Sequence, residues 1–205
     1  MGGNSTYLFP PTVPPSNTWF VDRKNALMDV FGQANASAFD QSGFANINRD
    51  VYDLFYPGYV DMWPMSHGAL GMTYEQASAR ALVLRKSDGT LMTYGDGVLH
   101  HFTAALTTAE TAARNRERIL RDYLAFRQQG IDLGRSGPAE YVLHSAHDPG
   151  MAERLARLMV RNGIDVRSAT GPVSVDGLTL PARGTFVVPM DQPAHRFARA
   201  LLDPH

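Results

Sequence analysis

The sequence predicts an α/β chain in two pieces: a mixed sheet with helices over residues 1–134 and a small α/β lobe over residues 135–205. Three observations lead there. Asp88-Gly89 and Asp176-Gly177 each lie between β-prone runs, the signature of a tight hairpin. Apolar residues recur at helical spacing over two long stretches of the first piece. Between the pieces, Gly130 to Pro138 is polar with three glycines and a proline, and reads as a linker.

Four prolines in six residues, Pro10, Pro11, Pro14 and Pro15, forbid a helix near the start and favour an extended path. A helix is expected over Trp19–Phe39, capped by Asn17 or Thr18, with Phe20, Leu27, Val30, Phe31, Ala34 and Ala38 on its apolar face. Gly43 ends the turn after it. A short element over Val51–Phe55 leads into the loop Tyr56-Pro57-Gly58-Tyr59-Val60-Asp61-Met62-Trp63-Pro64, and Ala69–Glu75 reads as a strand. Ala81–Arg85 and Leu91–Tyr94 form the arms of the first hairpin. One long helix is expected from Asp96 to Arg127, with an apolar stripe of Val98, Phe102, Leu106, Ala109, Ala112, Ile119, Tyr123 and Phe126. Beyond the linker come a strand at Tyr141–Leu143 and a helix opened by Asp148-Pro149. That helix carries Met151, Leu155, Leu158 and Met159 to a stop at Asn162-Gly163. A strand near Val166, the second hairpin, a strand at Thr185–Val188 and a helix over Pro193–Leu202 complete the lobe.

Composition narrows the function. Nineteen basic residues stand against 20 acidic ones, a net charge of −1, so no nucleic-acid-binding face is advertised. Arg114, Arg116, Arg118 and Arg121 are interleaved with Glu117 and Asp122, as on a solvated helix face. There is no cysteine, which excludes disulfides and thiolate metal sites. No run approaches the roughly 20 apolar residues of a membrane span, and no signal peptide is visible.

Two features carry candidate chemistry. Tyr52, Phe55, Tyr56, Tyr59 and Trp63 crowd a loop whose glycine and prolines prevent regular structure. Tyrosine joins a flat apolar wall to a hydroxyl, so the loop suits substrate contact, although aromatic clusters often only close a core. Glu75 ends the expected strand, sharing a face with Thr73 while Met72 and Tyr74 take the other. A carboxylate at a strand end beside such a loop suits a general base, although most such glutamates are merely solvated.

The stretch Phe55-Tyr56-Pro57-Gly58-Tyr59-Val60-Asp61, continuing through Gly68-Ala69-Leu70-Gly71-Met72-Thr73-Tyr74-Glu75, resembles the end of the catalytic domain of M14 zinc carboxypeptidases, closest to large bacterial members. The similarity extends over residues 1–130 and is most specific over 51–80. It implies a partial carboxypeptidase-like mixed sheet, with Glu75 as general base in hydrolysis of a C-terminal peptide or related amide bond. By the same resemblance Tyr56 matches the substrate-contacting tyrosine, with Tyr59 as its competitor. Val60 and Asp61 fall in the segment that faces the departing C-terminal residue, and an apolar Val60 implies apolar substrates. The Phe186–Met190 run and the last helix also resemble the tail of those bacterial proteins.

The family binds zinc through His-x-x-Glu and a later His, and none of the seven histidines here is followed at the third position by Glu. Met1 to Tyr7 resembles the segment directly after the last zinc ligand, which implies that the ligands and the carboxylate-binding arginines lie upstream. No zinc is therefore expected on this chain alone. His144, His147 and Asp148 are read as loop groups and a helix cap, and His100 and His101 as helix residues pointing about 100° apart. The chain is accordingly expected to be inactive by itself and to self-associate through an exposed sheet edge. The alternative is a non-catalytic binding or interaction module derived from a peptidase scaffold.

Overall fold

The computed structural model describes residues 7–49, 53–76, 82–86 and 88–203. Tyr52, Val51, Ala81 and the Met1–Thr6 part of the family resemblance lie outside the described residues. The chain is α/β and divides into two compact units, residues 1–65 with 69–121, and residues 66–68 with 122–205.

In the first unit, β1 (Tyr7–Leu8) pairs in parallel with β2 (Asn46–Ile47), and α1 (Val21–Gln41) runs between them. Phe20 occupies the helix N-cap with no side-chain cap bond, whereas Asn17 Oδ1 accepts the Trp19 N–H at 3.1 Å. The expected cap residue thus shapes the entry turn instead of capping the helix. At the other end Gly43 takes φ +70°, and the Phe44 N–H returns to the Phe39 carbonyl at 2.9 Å. Helix α2 (Met62–Ser66) takes in Met62, Trp63 and Pro64, the end of the stretch read as loop; Pro64 falls within its first turn, where its missing N–H costs nothing. The hairpin forms as expected: β3 (Val83–Arg85) pairs antiparallel with β4 (Leu91–Thr93). Buried Tyr7, Phe9, Phe39 and Ala104 make one core cluster of this unit, joined by Ala36, Phe44 and Tyr74.

Several elements differ from expectation. The residues Ala69–Glu75 are not a strand; only Glu75 pairs, in an isolated antiparallel bridge with Leu8. A strand needs a neighbour for its backbone groups, and beyond Leu8 the described chain offers this segment none. The single long helix is two, α3 (Tyr94–Arg114) and α4 (Arg116–Ser136), separated at Asn115, whose Nδ2 bonds back to the Thr111 carbonyl. Thr93 and Asp96 close a capping box at the start of α3. The apolar stripe of α3 is also turned the other way. His100, Ala104 and Thr111 are its buried residues, while Val98, Phe102 and Leu106 face solvent.

In the second unit, β5 (Glu140–His144) and β6 (Arg167–Ser168) flank β9 (Thr185–Pro189) in an antiparallel sheet. Between them lie α5 (Pro149–Arg161) and the hairpin β7 (Val173–Val175) and β8 (Leu178–Leu180), and α6 (His195–Leu202) closes the chain. Asp176 and Gly177 both take positive φ, 49° and 79°, as a two-residue hairpin turn requires. Asp148 caps α5 through the Met151 N–H with Pro149 in the first turn, although Ala152, Ala156 and Met159, not Met151 and Leu158, are its buried residues. Met159, Ile164, Val188, Met190, Ala194, Phe197 and Ala198 form the core.

The expected linker at Gly130–Pro138 is helix as far as Ser136. Gly130 and Gly134 are buried because α4 lies directly on the backbone of residues 190–193. A methyl group on Gly134 would sit 1.8 Å from the Met190 carbonyl oxygen. The glycines serve close approach, not flexibility.

Candidate functional site

The backbone of Glu75 is held from two sides. Its N–H and carbonyl exchange hydrogen bonds with Leu8 at 2.9 and 2.7 Å. The next side chain, Gln76, donates Nε2–H to the Gly97 carbonyl at 3.0 Å and meets His100 Nδ1 through Oε1 at 2.8 Å. Since the amide nitrogen faces a carbonyl, Oε1 is the acceptor and His100 carries its proton on Nδ1. Burial holds His100 below the usual imidazole range, while Asp96 pulls the other way. The Glu75 side chain is exposed.

The aromatic loop is joined to the same segment through Asp61. Asp61 Oδ2 accepts the Thr73 hydroxyl at 2.5 Å. Gly71 lets the two segments meet: a Cβ there would stand 1.6 Å from the Asp61 carbonyl oxygen. Tyr56 and Tyr59 are exposed and meet edge to face, with centroids 5.3 Å apart. Val60 is 91% exposed, whereas Met62 and Met65 of α2 are buried. The aromatic residues Phe55, Tyr56, Tyr59 and Trp63 stand on the surface instead of closing the core.

Beside Glu75 lies a feature that sequence reasoning missed. Tyr7, Tyr74, His101, Ala104, Ala105 and Thr108 line a cavity of about 370 Å³. The Tyr7 hydroxyl bonds His101 Nδ1 at 2.7 Å, and the Tyr74 hydroxyl bonds Thr108 Oγ1 at 2.7 Å. Fully buried Asn35 donates to the Phe31 carbonyl at 3.0 Å and to Thr108 at 3.4 Å. Burial pushes the Tyr7 phenol well above its ordinary value, and the neighbouring acidic groups of Tyr74 and Glu75 add to the shift. Tyr7 therefore stays protonated beside His101. Nothing local could have shown this pair, since its members stand 94 residues apart.

His100 and His101 serve different partners, Gln76 and Tyr7. His144 Nδ1 meets Thr185 Oγ1 at 2.9 Å, and Asp148 is engaged with Arg154 at 2.8 Å as well as capping α5. Among the described residues, no three His, Asp or Glu side chains converge as a metal site requires. No protein-family model, no curated protein and no solved structure matches this chain.

Proposed function

We propose that the chain is the C-terminal portion of a carboxypeptidase-like domain, with a partial mixed sheet, that hydrolyses a C-terminal peptide or related amide bond with Glu75 as general base. The observation that carries this is the Asp61–Thr73 hydrogen bond. It ties the tyrosine loop to the segment ending in Glu75, so a fixed backbone offers an exposed carboxylate and exposed Tyr56 and Tyr59 from adjoining segments. The resemblance over residues 55–75 assigns Glu75 and a loop tyrosine to one site. A carboxylate so placed takes the proton of an attacking water and returns it to the leaving amine, a contribution of about 10²–10⁴-fold. Tyr56 and Tyr59 contact the substrate, and Val60 and Asp61 border its last side chain.

Zinc is the metal this family uses, and the described residues do not make a zinc site. On this reading the resemblance assigns the ligands to polypeptide outside these residues, and this chain by itself is inactive. The test is Glu75→Gln in a protein that joins these residues to an upstream His-x-x-Glu and later His. We expect kcat to fall roughly 100-fold or more with zinc content unchanged. Near-normal turnover would remove Glu75 from the mechanism.

A second reading, a non-catalytic interaction module on a peptidase scaffold, is favoured by one observation, the outward-facing apolar stripe of α3. An in-frame stop directly ahead of Met1 in the coding DNA, with no His-x-x-Glu upstream, would select it.

A further inference from the structure

We propose that this chain forms a two-fold symmetric dimer in which the exposed face of α3 packs antiparallel against α3 of a second copy. Tyr94, Val98, Leu99, Phe102 and Leu106 run along that face, and Val83 and Leu91 of the hairpin extend it; each is 48–63% exposed. Seven such side chains present on the order of 100 Å² apiece, about 700 Å² together, against about 800 Å² per partner in a standard interface. Monomeric proteins seldom leave a continuous apolar patch of that size in water.

The helix itself specifies the occupant. A two-fold interface matches a surface to itself, and α3 is self-complementary when run antiparallel about Ala105. Tyr94, Val98, Phe102 and Leu106 lie four residues apart and form one ridge. With the axis at Ala105, Phe102 of one copy comes opposite Ala105, Thr108 and Ala109 of the other. Those residues are small, and Ala105 and Thr108 line the 370 Å³ cavity beside the helix, so a projecting ring meets a hollow. Charge agrees with the orientation. Asp96 in the first turn and Arg114 in the last stand on the same edge of α3, Asp96 half-buried and Arg114 exposed. The antiparallel pairing brings Asp96 of each copy beside Arg114 of the other, which also meets Glu110 of its own helix at 3.3 Å. This surface is used whether or not Glu75 is catalytic.

Analytical ultracentrifugation of the full chain tests this, with Phe102→Glu, Leu106→Lys and, as a control on the second unit, the equally exposed Leu178→Glu. Far-UV circular dichroism checks that each variant folds. The wild type and Leu178→Glu are expected to be dimers at tens of micromolar. Phe102→Glu and Leu106→Lys are each expected to weaken the dimer at least 100-fold while keeping the helical signal. Two variants guard against loss of one to misfolding. A wild-type monomer at 100 micromolar would overturn the proposal and leave the face to a different polypeptide. A dimer that persists in both α3 variants would overturn it equally, by placing the interface elsewhere.

Discussion

Replacing Gly134 with alanine separates a helix packed on backbone from a flexible linker. In an open helix the change is favourable by about 1 kcal/mol, because alanine loses less backbone freedom than glycine. Here the added carbon would stand 1.8 Å from the Met190 oxygen, 2.1 Å from its carbonyl carbon and 2.5 Å from the Asp191 nitrogen. Ordinary contact between such atoms needs about 3.5 Å, so α4 or the 190–193 segment must retreat by more than 1 Å. The obstacle is main chain, and no rotamer change relieves it. Met190 is fully buried, and its carbonyl accepts the His195 ring N–H at 2.9 Å, so retreat loosens the core and a hydrogen bond together. Overpacking of this kind costs about 1–3 kcal/mol or more, which outweighs the gain in helix propensity. For a chain of this size each kcal/mol lowers Tm by about 2–4 °C, so a fall of about 5 °C is expected. Gly95→Ala is the control, since its Cβ would meet only Thr93 Oγ1 at 3.6 Å; its Tm should hold or rise slightly. Calorimetric melts of the three proteins decide the matter. If Gly134→Ala melts at or above the wild-type temperature, residues 130–136 do not pack on backbone.

Two further outcomes are expected. His100 and His195 are held below the usual imidazole pKa chiefly by burial, so the folded chain resists a proton that the unfolded chain takes up near pH 6.5. Their contribution is complete above about pH 7 and is lost as pH falls through 6.5 towards the folded-state values; melts from pH 8 to pH 5 should show Tm dropping on the acid side, with a shallower drop in His195→Gln, and a flat profile would refute it. In an enzyme carrying these residues, kcat/KM should favour substrates ending in Phe over those ending in Arg by about tenfold or more, because Val60 offers no charge and Asp61 is engaged by Thr73; a preference for Arg would show that another carboxylate, or a freed Asp61, reaches the substrate.

Legible in the sequence is whatever a few neighbouring residues decide. The two Asp-Gly hairpins, the Asp148-Pro149 helix start and the Asn162-Gly163 stop all arise from backbone sterics and local hydrogen bonds. The residue pattern marks the segment of Thr73 and Glu75, yet the strand it suggests is absent, because a strand exists only with a neighbour to pair with. Tertiary structure alone decided the rest. Helical spacing marks an apolar stripe on α3 but cannot say whether the stripe faces the core or the solvent; contact with Tyr7, Phe39 and Phe44 claims the side bearing His100 and Ala104. Glycine has one sequence signature for two opposite uses, a loose joint or a close approach, and only the Met190 carbonyl distinguishes them at Gly134. The Tyr7–His101 bond lies beyond any local rule, because it arises when β1 and α3 are folded onto the same core.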